Sequence, residues 1–503
     1  MSIVNIFNRK FYLILAFIFL AELFSLFSFL MPQFGQIAFL VTVILTLILS
    51  LIKLEYGIWI ILVELFIGSK GYLFALDING AVISIRIALW LIIMSVWLAK
   101  VITNWLKTKQ LKIEFLQSRY IYYFIILFIF IVWGLLNGFL NHNSLNNIFF
   151  DVNGWLYFSL ILPIYSVIKN ERSINAILQI FIASIVWLSI KTLFLLYIFS
   201  HNFIGMVEEL YLWVRQTGVG EITLIQGGFY RVFFQSHIFV LIGFFLFLFL
   251  LLKNIIDRKE KKVIIYSLIF TVLFLTITIV NFSRSNWVGL AVGLAVGLFI
   301  IIRKLGWKKM MTMIMLLVLA GILSLATIVA IVKFPFPDPV GGFSTAELLS
   351  ERAGRFQGEA AFSSRWELFP KLKEKMFTAP ILGHGFGTTA TYLSSDPRIL
   401  EQSPTGEFTT YAFEWGWLDI WIKLGLLGLL IYIALIFKIV IVGLIKYSFS
   451  SEYGIINLSL TIGIIVIIAV SFFSPYLNHP LGIGYLILVS ALFDYLERNK
   501  LPI

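Results

Sequence analysis

Two arginines in this sequence stand where an anion could be held. In NFSRSNWVGLAVGLAVGL, Arg284 follows a very short polar turn, and Ser283 or Ser285 can cap the helix that starts there. A helix N-terminus presents unpaired N–H groups and the positive end of its dipole, both favourable to an anion. A guanidinium added at that point makes a phosphate clamp, because its planar fork matches phosphate oxygens. The alternative is an arginine reaching out to lipid headgroups. In GGFYRVFFQSHIFVLIG, Arg231 opens an apolar run and is either an interfacial anchor or a second contact to an anionic lipid. His237, one to two turns deeper, is either functional or a hydrogen-bonded core histidine. A third polar stretch, SSRWELFPKLKEKMFTAPILGHGFG, runs from Ser363 to Gly387 and holds Arg365, Trp366 and His384. Phe369, Leu372 and Met376 share a helical face in it, and Pro370 starts or kinks that helix. Gly383, Gly385 and Gly387 are not a dinucleotide fingerprint, since no strand precedes them and the spacing is wrong. They read as a tight turn back toward the next apolar run, TTYAFEWGWLDIWIKLGLLGLL, whose first turns carry Glu414, Asp419 and Lys423.

The elements that must position these residues are membrane helices. The chain is 60% hydrophobic and only 13% charged, with mean hydropathy +0.98, which no ordinary soluble domain matches. Apolar runs of about 20 residues recur from end to end, each long enough to cross a bilayer as a helix. The reading is an all-α polytopic integral membrane protein of about 12–14 transmembrane helices, with one long extracytoplasmic loop containing short helices. The spans fall at roughly 11–30, 34–52, 55–75, 81–99, 120–140, 152–168, 174–199, 231–252, 263–281, 286–303, 311–333, 414–444, 454–473 and 481–496. The first is read as an uncleaved helix rather than a leader, since no clear small-residue cleavage site follows it. Glu22 and Glu64 lie inside spans without an obvious partner. The sequence has no Cys and five scattered His, so disulfides, thiolate chemistry and a zinc site are not expected. The net charge of +12 reflects basic connectors between spans rather than nucleic-acid binding.

Those connectors orient the chain. KVITNWLKTKQLKIEFLQSR, KNER, KNIIDRKEKK and RKLGWKK all fall on one side under strict alternation, together with both termini. That side is the cytoplasm by the positive-inside rule, and it takes about 23 of the 38 Lys and Arg. Three regions follow: N-terminal helices over 1–333, a long extracytoplasmic loop over 334–413 and C-terminal helices over 414–503. The loop has seven Lys and Arg against nine Asp and Glu, as suits a translocated segment.

Three pieces of this pattern together resemble the O-antigen ligase and O-antigen polymerase superfamily of bacterial membrane glycosyltransferases. They are FSRSNWVGL leading a span, the loop segment with Arg365 and its alternate glycines, and IKLGLLGLL after the loop. Arg231 fits as well, and the similarity covers roughly 225–445. The resemblance implies a multi-pass enzyme of the bacterial cytoplasmic membrane, active on its outer face. Its donor would be a glycan on undecaprenyl pyrophosphate. The acceptor, a glycan or a lipid, would attack the anomeric carbon through a hydroxyl, and the lipid pyrophosphate would leave. Membrane lipids would be the only other partners, with no cofactor, no essential metal and no nucleic acid. Arg231, Arg284 and Arg365 would then bind the pyrophosphate. Ligases of this family carry a His-Asn pair eleven residues before the glycine at Gly425; here that place holds Glu414–Trp415. Glu414 or His384 would serve as base, and the departure favours a polymerase over a ligase. A lipid-linked oligosaccharide flippase is the reading from another class; the charges gathered at span ends favour the enzyme.

Overall fold

The structure, a computed structural model, describes residues 7–78, 81–201, 203, 205–225, 228–340, 360–401, 403–445, 449 and 451–499. The stretch 341–359 of the expected loop lies outside the described residues. Backbone that crosses hydrocarbon must satisfy its hydrogen bonds within its own segment, so the long apolar runs are helices. Thirteen helices among the described residues are long and apolar enough to cross a membrane, from Arg9–Leu30 to Pro480–Arg498. The chain is an all-α polytopic membrane protein, with three short two-stranded antiparallel sheets among the described residues.

The fourteenth expected span, 55–75, is cut short. Helix Leu54–Ile67 has 14 residues, about 21 Å at 1.5 Å per residue, against a hydrocarbon core of about 30 Å. A turn at Gly68 ends it, and the hairpin Ala75–Ile78/Ala81–Ser84 follows. Glu64, near the end of this helix, is buried and paired. Arg86 Nε and Nη2 donate to its two carboxylate oxygens at 2.9 Å each, and Arg86 Nη1 donates to Ser69 O at 2.7 Å. Glu22 is paired in the same manner, accepting from Lys191 Nζ at 2.5 Å across to helix Glu171–Ser200. Both acids that lacked a partner in the sequence therefore have one on another helix, as buried charge requires.

Helix His237–Ile256 is the centre of the bundle, enclosed by Glu171–Ser200, Lys261–Val280 and Glu452–Val470. The glycines at every fourth position of Arg284–Leu305 line its seams: a Cβ on Gly293 would lie 2.4 Å from the Phe245 ring and 2.9 Å from Val466. Small residues here let helices approach closely.

The connectors segregate to two ends, as strict alternation demands. At one end Ser69 bonds Ser236 at 3.1 Å, His201 Nε2 meets Phe334 O at 2.9 Å and Ser474 bonds Ser285 at 3.2 Å. At the other, Lys169 pairs with Glu114 at 2.9 Å, Arg119 N donates to Asp494 at 3.3 Å and Lys253 donates to Phe449 O at 2.9 Å. The first end holds the candidate site, and the second gathers the basic connectors.

His479 caps Pro480–Arg498 at the site end, its Nδ1 accepting from Leu481 N at 3.4 Å. Burial, with Arg86 and Lys70 adding repulsion, pushes its pKa down to about 3. The folded state keeps the imidazole neutral while the unfolded chain takes up a proton near pH 6.5. Stability is therefore complete above that pH and is lost progressively as pH falls toward about 3. Acidification from about pH 7.5 to about pH 5 is expected to cost about 2 kcal/mol through this residue. Melting curves across that range measure it. His479→Asn, which keeps a capping acceptor, should flatten the dependence.

Candidate functional site

Helix Arg284–Leu305 begins immediately after the three-residue turn 281–283. Ser283 is its N-cap and accepts from Asn286 N at 3.5 Å, while Asn281 Oδ1 accepts from Ser283 N at 2.9 Å. Arg284 is thus the first residue of a long helix, at the positive end of the dipole, where acidic rather than basic side chains are favoured. Arg231 comes to the same turn from the hairpin Gly220–Ile225/Phe229–Phe234, its Nε donating to Asn281 O at 2.9 Å. The sequence placed Arg231 at the start of a span; it sits on a strand instead, and the span begins at His237. His237 is a buried core residue, with Nε2 2.9 Å from Thr192 Oγ1 and Nδ1 accepting from Phe234 N at 3.2 Å.

Arg365 approaches from helix Ala360–Thr378. Burial lowers its pKa first, and the positive charges of Arg284 and then Arg231 lower it further. Burial also lowers Arg231; Glu221 partly offsets this and Arg284 adds to it. Each of these two guanidiniums thus feels the positive charge of Arg284 in a partly desolvated place. Arg365 Nε donates to Glu414 Oε2. Behind this pair, Trp415 Nε1 donates to Arg365 O at 3.0 Å, and the Trp415 ring packs 5.9 Å from Phe473. The loop of Phe473 returns to Arg284 through the Ser474–Ser285 bond.

A small core separate from the main bundle supports helix Ala360–Thr378. Leu368, Leu372, Ala390, Tyr392, Phe413 and Ile422 are buried together, with Met376 against them. The buried face is therefore Leu368, Leu372 and Met376, a spacing of four, with Phe369 turned to Trp366 and Trp415 instead. Pro370 lies inside the helix without ending it.

The alternate glycines make a backbone clamp. Gly425 has φ +74° and breaks helix Gly416–Ile445, exposing two carbonyls: Ile422 O accepts from His384 N at 2.7 Å and Lys423 O from Gly385 N at 3.1 Å. Gly385, at φ +79°, presses against helix Ile121–Leu140 so closely that a Cβ would lie 2.1 Å from Gly138 N. Only glycine fits both that conformation and that approach. Gly387 N donates to Asp151 Oδ2 at 2.8 Å. Asp151 Oδ1 takes Lys423 Nζ at 2.5 Å, and Lys423 also meets Asp419 Oδ1 at 2.5 Å. Asn478 Nδ2 donates to Asp419 Oδ2.

Of the five residues singled out in the sequence, the structure brings four together: Arg231, Arg284, Arg365 and Glu414. His384 sits apart, its Nε2 2.8 Å from Lys375 O and 3.0 Å from Thr378 Oγ1. Lys375 is ten residues beyond Arg365 on the same helix, about 15 Å of rise. Sequence reasoning missed Asp151 and Asn281. The i,i+4 spacing of Asp419 and Lys423 is the signal from which their pairing could have been read, but nothing in the sequence pointed to Asp151 as the third member.

The family model described as O-antigen ligase matches residues 269–433. That stretch contains Arg284, Arg365, His384, Glu414, Asp419 and Lys423, whereas Asp151 and Arg231 precede it. No curated protein matches the chain, and no solved structure does.

Proposed function

We propose, from the match of residues 269–433 to the family model described as O-antigen ligase, that this chain polymerises glycans carried on undecaprenyl pyrophosphate. The observation that carries this reading is that Arg231 bonds the turn from which the Arg284 helix starts, and Arg365 is linked to that turn through Trp415, Phe473 and the Ser474–Ser285 bond. Three guanidiniums and the helix dipole form a site whose natural complement is a multiply charged anion, and a pyrophosphate matches it in charge and in bidentate geometry. The end of the bundle bearing these arginines faces away from the cytoplasm, since the opposite end gathers the basic connectors.

The reaction follows from the site. Pyrophosphate binding draws Arg365 from Glu414 to the phosphate oxygens and frees the Glu414 carboxylate. An acceptor hydroxyl attacks the anomeric carbon, and its proton passes to Glu414. The bond between that carbon and the phosphate oxygen breaks, and its electron pair departs with the lipid pyrophosphate. The arginines stabilise the charge that grows on the leaving group, which is where catalysis gains most. His384 Nε2, held against a carbonyl, is a donor in this arrangement and positions the glycine turn.

The test is reconstitution. The purified full chain in lipid nanodiscs, given lipid-linked repeat units, should yield products of several repeats and release undecaprenyl pyrophosphate. Chelator should leave the rate unchanged. Single repeats moved to a different acceptor would identify a ligase and overturn polymerisation. Transbilayer movement of intact precursor without any new glycosidic bond would identify a flippase.

A further inference from the structure

Beside the arginines stands a group of aromatic rings that the proposed chemistry does not use. Trp415 is its fixed centre: its Nε1 donates to Arg365 O at 3.0 Å, and its ring lies 5.2 Å from Trp366, 5.2 Å from Phe369 and 5.9 Å from Phe473. Trp366 is the outer member and is 48% exposed. Trp415 packs against the small core that contains Leu368 and Leu372. The sequence couples charge and ring twice, as Arg365–Trp366 on one element and Glu414–Trp415 on the other, and the two charges pair.

We propose that Trp366 and Trp415 form the stacking platform for the sugar ring attached to the donor pyrophosphate. A pyranose has faces of C–H bonds with slight positive charge and an equatorial rim of hydroxyls. An aromatic ring offers a negative face and a large apolar area at small entropic cost, so it takes up the C–H face and leaves the rim for polar partners. The position fits the ligand. The sugar is bonded directly to the phosphate, so a phosphate on Arg365 leaves the first ring within reach of the adjacent Trp366. The platform would hold the anomeric carbon over Glu414, giving the site selectivity for the donor's first sugar. The inference rests on the pyrophosphate reading above and adds a ligand that the arginines do not address. Interfacial anchoring is the competing role of an exposed Trp near a membrane surface.

Equilibrium binding to the full chain in nanodiscs separates these roles with two probes, undecaprenyl pyrophosphate without sugar and lipid-linked repeat units extracted from cells lacking this chain. Trp366→Leu keeps apolar bulk for anchoring but has no π face; Trp366→Phe keeps a ring. The expected result is that Trp366→Leu binds the bare lipid as the wild type does and the sugar-bearing lipid about five- to tenfold more weakly, while Trp366→Phe recovers most of the difference. Equal weakening on both probes, or none on either, would overturn the platform. Arg365→Ala should weaken both probes. If it weakens neither, the pyrophosphate reading fails, and the discrimination shown by Trp366 still decides the platform.

Discussion

Arg284→Ala and Arg365→Ala are each expected to slow glycan transfer about 100- to 1,000-fold, the cost typical of removing one preorganised donor to a developing negative charge. The loss should fall on kcat as well as kcat/KM, because the contacts strengthen as the leaving group gains charge. Lysine restores the charge but not the planar fork, so Arg365→Lys should recover only part of the rate. The double substitution should cost less than the product of the single effects, since residues acting on one group behave as a unit. Misfolding does not account for such a loss at Arg365. Its pair with Glu414 is only part-buried, and pairs of that kind contribute about 0–1 kcal/mol. Product length on gels and accumulation of lipid-linked precursor are the measurements. Unchanged chain length at normal protein levels would remove the arginines from the mechanism.

How much of this was legible in the sequence depended on the range of the signal. Span existence and alternation rest on hydropathy and on the charge of short connectors, both local, and the two ends of the bundle segregate accordingly. Arg284 was legible because its whole setting, turn, cap and helix start, lies within a few residues. Arg231 was placed on the wrong element because FYRVFF is as apolar as a span, yet it pairs with Gly220–Ile225 as a strand. The partners of Glu22 and Glu64 were invisible because Lys191 and Arg86 stand 169 and 22 residues away, on other helices. The amphipathic face of Ala360–Thr378 was offset at one position because Phe369 is held by Trp366 and Trp415, which no periodicity encodes. The glycine turn was recognised as tight, but its tightness comes from Gly138 and Gly425, which the sequence cannot bring to it.

Lys423→Met is expected to be the most destabilising single change near the site. Lys423 is almost completely buried and lies between two carboxylates, the half-buried Asp151 and the buried Asp419, each at 2.5 Å. Its Nζ also donates to Tyr411 O at 3.0 Å. Removing the cation leaves two like charges in a desolvated place, and breaking a buried pair from one side costs about 3–5 kcal/mol. Asp151→Asn should cost less, because Asp419 remains to pair the lysine and an amide oxygen can still accept from Gly387 N. The combination of Lys423→Met with Asp151→Asn should be milder than the sum of the two, as expected for a coupled network. The network ties helix Leu145–Leu156, helix Gly416–Ile445 and the loop through Asn478 to the glycine turn. Its loss should therefore loosen the turn and the mounting of Glu414 as well as the bundle. Thermal melting of purified protein in detergent gives the stability order, and transfer assays below the lowest melting temperature give the functional one. Lys423→Met melting like the wild type would show that the lysine is not the electrostatic keystone of this end of the molecule. Retained stability with lost transfer would instead assign the lysine to the reaction itself.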